Sequence, residues 1–218
     1  MSTNWSCILF DLDGTILDSA PGITETLAYM FEKLGRPVPS RAKLLEYVGP
    51  PILDSFRDLA GMTPSQSQAA LDVYRPRYLE RGALESTVYP GVAQLLRHIH
   101  DSPIPLSLAT SKPELPATKM LNLAGLTQFF DVITGASEDE VRSRKADVVA
   151  EALLRLAQLG FDISNPVMVG DREHDIAGAA GHGVPTIFVG WGYGTPAESA
   201  GAIATVDTTA ELHTLLLG

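Results

Sequence analysis

Short apolar runs that stop on small polar or acidic residues recur along this chain, and helical stretches separate them. The runs are Cys7 to Phe10, Ile104 to Thr110, Phe129 to Thr134, Pro166 to Gly170 and Val184 to Gly190. Runs of this kind, apolar on both faces and bounded by turn residues, read as buried parallel strands. Between them Pro90 opens a helix over 90–101, Pro113 opens one over 113–124 ahead of Gly125, and a long helix near 145–159 is closed by Gly160. Alternation of this sort leaves few architectures. The expected fold class is α/β, a doubly wound parallel sheet.

One interval breaks the alternation. From about Ser19 to Gly82 the pattern is helical and no convincing strand appears. Ser19 followed by Pro21 suits a helix cap and first turn, and Thr63 with Pro64 repeats the device. Junctions at 17–20 and 82–90 divide the chain into a core of residues 1–18 and 85–218 and an inserted all-helical domain of residues 19–84. In the insert Tyr74, Arg75, Arg77 and Tyr78 share a helix, where packing or solvated roles are favoured over contact with a substrate.

Charge narrows the partners. Among 218 residues, 26 acidic side chains outnumber 16 basic ones for a net charge of −10, so the field of the molecule repels nucleic acid and anionic lipid. At 45% hydrophobic and 19% charged the chain is expected to be globular. Its single cysteine, Cys7, can form no internal disulfide and reads as a buried small hydrophobe, which suits a reducing compartment and a cytoplasmic location. The opening stretch MSTNWSCILFDLDGT lacks a basic region leading into a long apolar one, which argues against secretion and membrane spanning.

Ligands of such sheets sit beyond the carboxyl ends of the strands. There the first strand offers Asp11, Asp13, Gly14 and Thr15. The second offers Thr110, Ser111 and Lys112, and the fourth offers Gly170, Asp171 and, one helical turn on, Asp175. Carboxylates about 4 Å apart repel by about 4 kcal/mol at an effective dielectric near 20, so the cluster needs a cation or shared protons. Oxygen-only ligands favour magnesium over zinc, and magnesium commonly accompanies a phosphate, so a phosphate ester is the expected substrate.

DLDGT after the first strand, a threonine ending the second, a later lysine and GDREHD after the fourth resemble the four motifs of the haloacid dehalogenase superfamily. The insert resembles its helical cap of the C1 type. GTILDSAPGI, VGPP, YPGV and GWGYG are similar to its phosphoglycolate phosphatase-like and nucleotidase-like branch. The resemblance implies a Rossmann-like core and a magnesium-dependent phosphatase in which Asp11 is the nucleophile, forming an aspartyl-phosphate. Asp13 is then the acid and base and lends the metal its backbone carbonyl, with Gly14 and Thr15 supporting the turn. Thr110, the Ser111 backbone and Lys145 would hold the phosphoryl group, while Asp171, after Gly170, ligates the metal and Asp175 acts through water or a hydrogen bond to a ligand. Proline usually follows the lysine in this motif; here Ala146 does, and Arg142 and Arg144 are rival cations. Lys112 reads as solvated and GWGYG as a turn.

The expected partner is a small phosphorylated metabolite and the expected assembly a monomer or homodimer. Alternatives are a phosphomutase, which would return phosphate to a sugar, and a phospho-accepting signalling module. Asp13 and the GDxxxD pattern oppose the latter. A dehalogenase is disfavoured because attack on carbon would leave Asp13 and the metal cluster superfluous.

Overall fold

The computed structural model describes residues 5–218. The first four residues, part of the stretch read above for a targeting segment, lie outside the described residues. In chain order the elements are β1 (Cys7–Phe10), β2 (Leu17–Asp18), α1 (Ala20–Lys33), α2 (Arg41–Leu45), α3 (Ile52–Asp58), α4 (Pro64–Glu80), β3 (Thr87–Val88), α5 (Val92–His100), β4 (Leu106–Pro113), α6 (Glu114–Leu123), β5 (Val132–Ala136), α7 (Lys145–Gln158), β6 (Pro166–Gly170), α8 (Glu173–Ala180), β7 (Thr186–Val189), β8 (Ala204–Val206) and α9 (Thr209–Leu217). Among the described residues six strands form one parallel sheet in the order β5-β4-β1-β6-β7-β8, and β2 and β3 pair antiparallel as a separate ribbon.

β1 shows why its run of four apolar residues is needed. Cys7 and Leu9 face one side, among Val148, Val149, Ala152 and Leu156 of α7, while Ile8 and Phe10 face the other, in a cluster with Leu96, Ile99, Met120 and Leu212. Successive side chains point to opposite faces, so a strand covered by helices on both faces must be apolar throughout. The α/β class is therefore the observed one. β1 is also where strand order reverses: the chain runs outward through β4 and β5, then returns to the far side of β1 with β6. Such a switch point opens a crevice at the strands' carboxyl ends.

Helices α1 to α4 lie between the two strands of the ribbon in sequence. Their ends follow the local signals: Thr63 accepts from the backbone N–H of Gln66 while the Gln66 side chain answers the Thr63 N–H, a reciprocal cap ahead of Pro64. Phe31, Tyr47, Phe56, Tyr74 and Tyr78 form an edge-on and stacked aromatic chain that ties these helices together. No helix among the described residues is long and apolar enough to cross a membrane.

Candidate active site

Asp11 follows β1, Asp171 follows β6, and Asp175 lies in the first turn of α8, so adjacent parallel strands deliver the first two acids to one crevice. Oxygens of Asp11, Asp171 and Asp175 all lie within 4.8 Å of one another, and all three residues are buried. Asp175 is held from behind: its Oδ2 accepts from the Arg172 backbone N–H at 3.0 Å. Thr15 donates to Asp171 Oδ1 at 3.2 Å, and the Tyr193 N–H donates to Asp171 Oδ2 at 2.7 Å. Gly14 turns the chain at φ 86°, a left-handed conformation in which a Cβ would also collide with the Asp171 carboxylate.

Lys145 answers this charge. It is the first residue of α7, a poor place for a buried cation because the helix dipole is positive there. Its Nζ lies 2.6 Å from Asp11 Oδ1 and 2.8 Å from Asp175 Oδ1, and it donates to the Ala109 carbonyl at 3.0 Å. Burial works against its charge, but Asp11 and Asp175 outweigh that and raise its pKa above the ordinary lysine value. Of the rival cations, Arg142 is engaged with Glu114 and Glu151, while Arg144 lines the open cleft beside Lys145 without meeting the three acids.

One lysine among three acids leaves the crevice short of positive charge. Burial raises the Asp171 carboxyl well above the usual range, and the nearby Asp175 and Asp11 charges add to it. Burial likewise raises Asp11, with Lys145 opposing. Clustered hard oxygens with excess negative charge fit a divalent cation such as magnesium.

Asp13 takes a different direction. Its carboxylate stands outside that cluster: Oδ1 accepts from the Ser19 hydroxyl at 2.5 Å, and Oδ2 pairs with Lys112 Nζ at 2.9 Å. Lys112 is therefore not the solvated lysine expected from its surroundings in sequence. Its side chain is 7% exposed and its ammonium sits 4.6 Å from the ring centre of Tyr78, which stacks on Tyr74. β4 runs on past Thr110 to Pro113, which carries Lys112 inward. Thr110 and Ser111 are both buried at this strand end, with Thr110 Oγ1 accepting from the Lys112 N–H at 3.3 Å.

GWGYG is likewise more than a turn. Besides the Tyr193 bond to Asp171, Trp191 donates to the Thr15 carbonyl at 3.1 Å, and a Cβ at Gly192 would strike Asp171. The Tyr193 hydroxyl accepts from the backbone N–H groups of Ser19 and Ala20 at 2.7 and 2.9 Å and donates to Asp18 at 2.7 Å, at the junction where α1 begins. Tyr193→Phe strands all three partners, so it should cost about 1–3 kcal/mol in urea denaturation.

Two spaces meet the site. A small chamber is bounded by Asp13, Ser111 and Lys112 on one side and by Tyr47, Tyr74 and Tyr78 on the other; a larger, more open cleft reaches Lys145 and Ser111 past Arg144, Arg172 and His174. Tyr74, Arg75 and Tyr78, read from sequence as packing or solvated residues, thus face Asp13 across the chamber.

Comparison with known proteins agrees with this arrangement. The tyrosine-protein kinase PtkA of Mycobacterium tuberculosis is 40% identical over 206 residues, covering 94% of this chain and 68% of that protein. A 5'-nucleotidase of Pseudomonas aeruginosa is 34% identical over 191 residues, covering 88% and 85%. The crystal structure of a predicted phosphatase from Clostridium acetobutylicum superposes with a TM-score of 0.89 at 36% identity, over 96% of each chain. A family model, haloacid dehalogenase-like hydrolase, matches residues 8–189. A parallel sheet reversing at β1, acids at the ends of β1 and β6 and a family match across both are one finding: the chain belongs to the haloacid dehalogenase-like hydrolases.

Proposed function

We propose that this phosphatase hydrolyses phosphomonoesters of small metabolites in two displacements through Asp11, with magnesium as cofactor and residues 19–84 as a cap over a core of residues 1–18 and 85–218. The observation that carries the reading is the convergence of Asp11, Asp171 and Asp175 on one another, with Lys145 between Asp11 and Asp175 and Asp13 facing a separate chamber. Bound by Asp11, Asp171, Asp175 and the Asp13 backbone carbonyl, magnesium would neutralise developing charge on the phosphoryl oxygens.

In the first displacement an oxygen of Asp11 bonds to phosphorus as the ester P–O bond breaks, and a proton held on Asp13 goes to the leaving oxygen. In the second, Asp13 takes a proton from water as its oxygen bonds to phosphorus, and the bond to Asp11 breaks. Splitting the reaction in this way divides a very high barrier. Lys145 and the backbone at Ser111, with Thr110 beside it, supply positive charge and donors where the transferring group passes. A single, buried Cys7 suits a reducing compartment such as the cytoplasm.

Phosphate release from p-nitrophenyl phosphate should fall by roughly 100-fold or more in EDTA and return with added magnesium. Undiminished turnover in EDTA refutes the metal. Magnesium at a hundred times its Kd should also stabilise the fold by about 2.7 kcal/mol, roughly 5–11 °C in a thermal melt. At a fixed magnesium concentration that gain should grow as pH rises above the ordinary aspartate range. Because Asp171 is raised, the metal-free native state keeps protons the unfolded chain has lost, and its stability falls as pH rises toward the folded pKa; the metal takes the ionised form and removes this loss.

The kinase name of the mycobacterial relatives favours a second reading, in which a tyrosine hydroxyl replaces water as the acceptor. Labelled phosphotyrosine formed from radioactive ATP, in place of released phosphate, selects it.

A further inference from the structure

In-line displacement sends the leaving oxygen away from Asp11 and toward Asp13, so the leaving group belongs in the chamber that Asp13 lines. The chemistry of that chamber is unusual. Both of its cations are committed to carboxylates, Lys112 to Asp13 at 2.9 Å and Arg75 to Glu140 at 2.7 Å, while Glu138 adds a further negative charge.

Glu140 stands out twice. Among the described residues it alone, glycines apart, has a positive φ, 59°, which side chains with a Cβ adopt only when the surroundings hold them there. Its side chain is 5% exposed. One carboxylate oxygen meets Arg75, and the other, Oε2, is buried with no donor among the described residues. Buried acceptors are nearly always paired; Glu140 has one left over, and the residue lines the chamber, so a small shift of its side chain would offer that oxygen to a ligand. The rest of the wall is apolar or aromatic, with Ile23, Leu71, Tyr74 and Leu115.

We propose that the chamber selects phosphomonoesters whose leaving alcohol carries a hydrogen-bond donor, a hydroxyl or an ammonium, that Glu140 Oε2 accepts, and that it rejects alcohols bearing a carboxylate. The inference rests on the phosphatase reading and narrows it. A carboxylate would face Glu138 and Glu140, with Arg75 already paired to Glu140 and Lys112 released only while Asp13 carries its proton, whereas a donor satisfies the stranded oxygen and, through Glu140 and Arg75, completes a contact between α4 and the loop after β5. The ester that names the resembled branch, phosphoglycolate, belongs to the rejected class.

The test is kcat/KM of the full chain with magnesium for O-phosphoethanolamine, glycerol 1-phosphate, n-propyl phosphate and 2-phosphoglycolate, beside p-nitrophenyl phosphate. One or both donor-bearing esters should exceed propyl phosphate and phosphoglycolate by about tenfold or more, the ethanolamine and glycerol arms separating a cationic from a neutral donor. Glu140→Gln, which keeps an oxygen for Arg75 but presents an amide donor, should shrink the preference over phosphoglycolate by about tenfold. Phosphoglycolate turned over as well as the donor esters by the unaltered chain overturns the proposal, with no variant needed; so does a preference that a folded Glu140→Gln leaves unchanged. Hydrolysis of p-nitrophenyl phosphate with no donor preference defeats only this inference, whereas failure on every ester defeats the phosphatase reading and the inference together.

Discussion

Asp11→Asn should lower phosphate release by at least about 10⁴-fold while leaving the fold as stable as before. The substitution keeps shape and removes only the nucleophilic charge. Lys145 retains Asp175 at 2.8 Å and the Ala109 carbonyl at 3.0 Å, so it is not stranded. Burial already raises the Asp11 carboxyl, which means the fold bears a cost for that charge, and an amide relieves it. Melting temperature should hold or rise as activity vanishes, a combination that a merely structural aspartate does not give. Acid-quenched protein from turnover of a ³²P-labelled ester should carry label on the unaltered chain and none on the variant. An Asp11→Asn protein keeping a tenth of the activity refutes Asp11 as the nucleophile.

Much of this site could be read in the sequence because its pieces are local. A strand buried on both faces announces itself as an apolar run, and the residue that ends the run is the one the sheet presents to a ligand, so Asp11 and Asp171 were legible from position alone. The elements that escaped were those too short to show a period: β2 and β3 have two residues each, and β8 is a three-residue strand at the sheet edge with only Val206 buried. Lys112 escaped for a different reason. What buries it, Asp13 and Tyr78, arrives from two distant segments, and nothing in the neighbourhood of a lysine in sequence reports that. Gly192 and Gly194 of GWGYG answer to Asp171, and Gly192 to Gly14 as well, not to the turn that contains them. One non-local fact was nonetheless signalled locally: a lysine at the first position of α7, where the dipole disfavours it, breaks a helix rule that only a buried anion can offset.

That broken rule leads to the largest expected effect on stability. Lys145→Met, measured in EDTA at pH 7, should destabilise the fold by about 3–5 kcal/mol because two buried carboxylates lose their shared cation, a drop of roughly 6–20 °C in melting temperature. Methionine fills much of the same space, so the loss is electrostatic and must depend on pH. Without Lys145 the native state binds a proton at Asp11 that the unfolded chain releases near the ordinary aspartate value, so the deficit should be small near pH 4 and widen as pH rises. Added magnesium should recover part of the stability, since a second cation then faces the same acids, while activity stays about 10²–10³-fold low for want of the donor at Asp11 and the phosphoryl oxygens. A deficit that is flat from pH 4 to 8 assigns the loss to packing and removes the charge-balance account of the crevice. Activity restored by magnesium along with stability leaves Lys145 a structural counter-ion, with no part in the transfer itself.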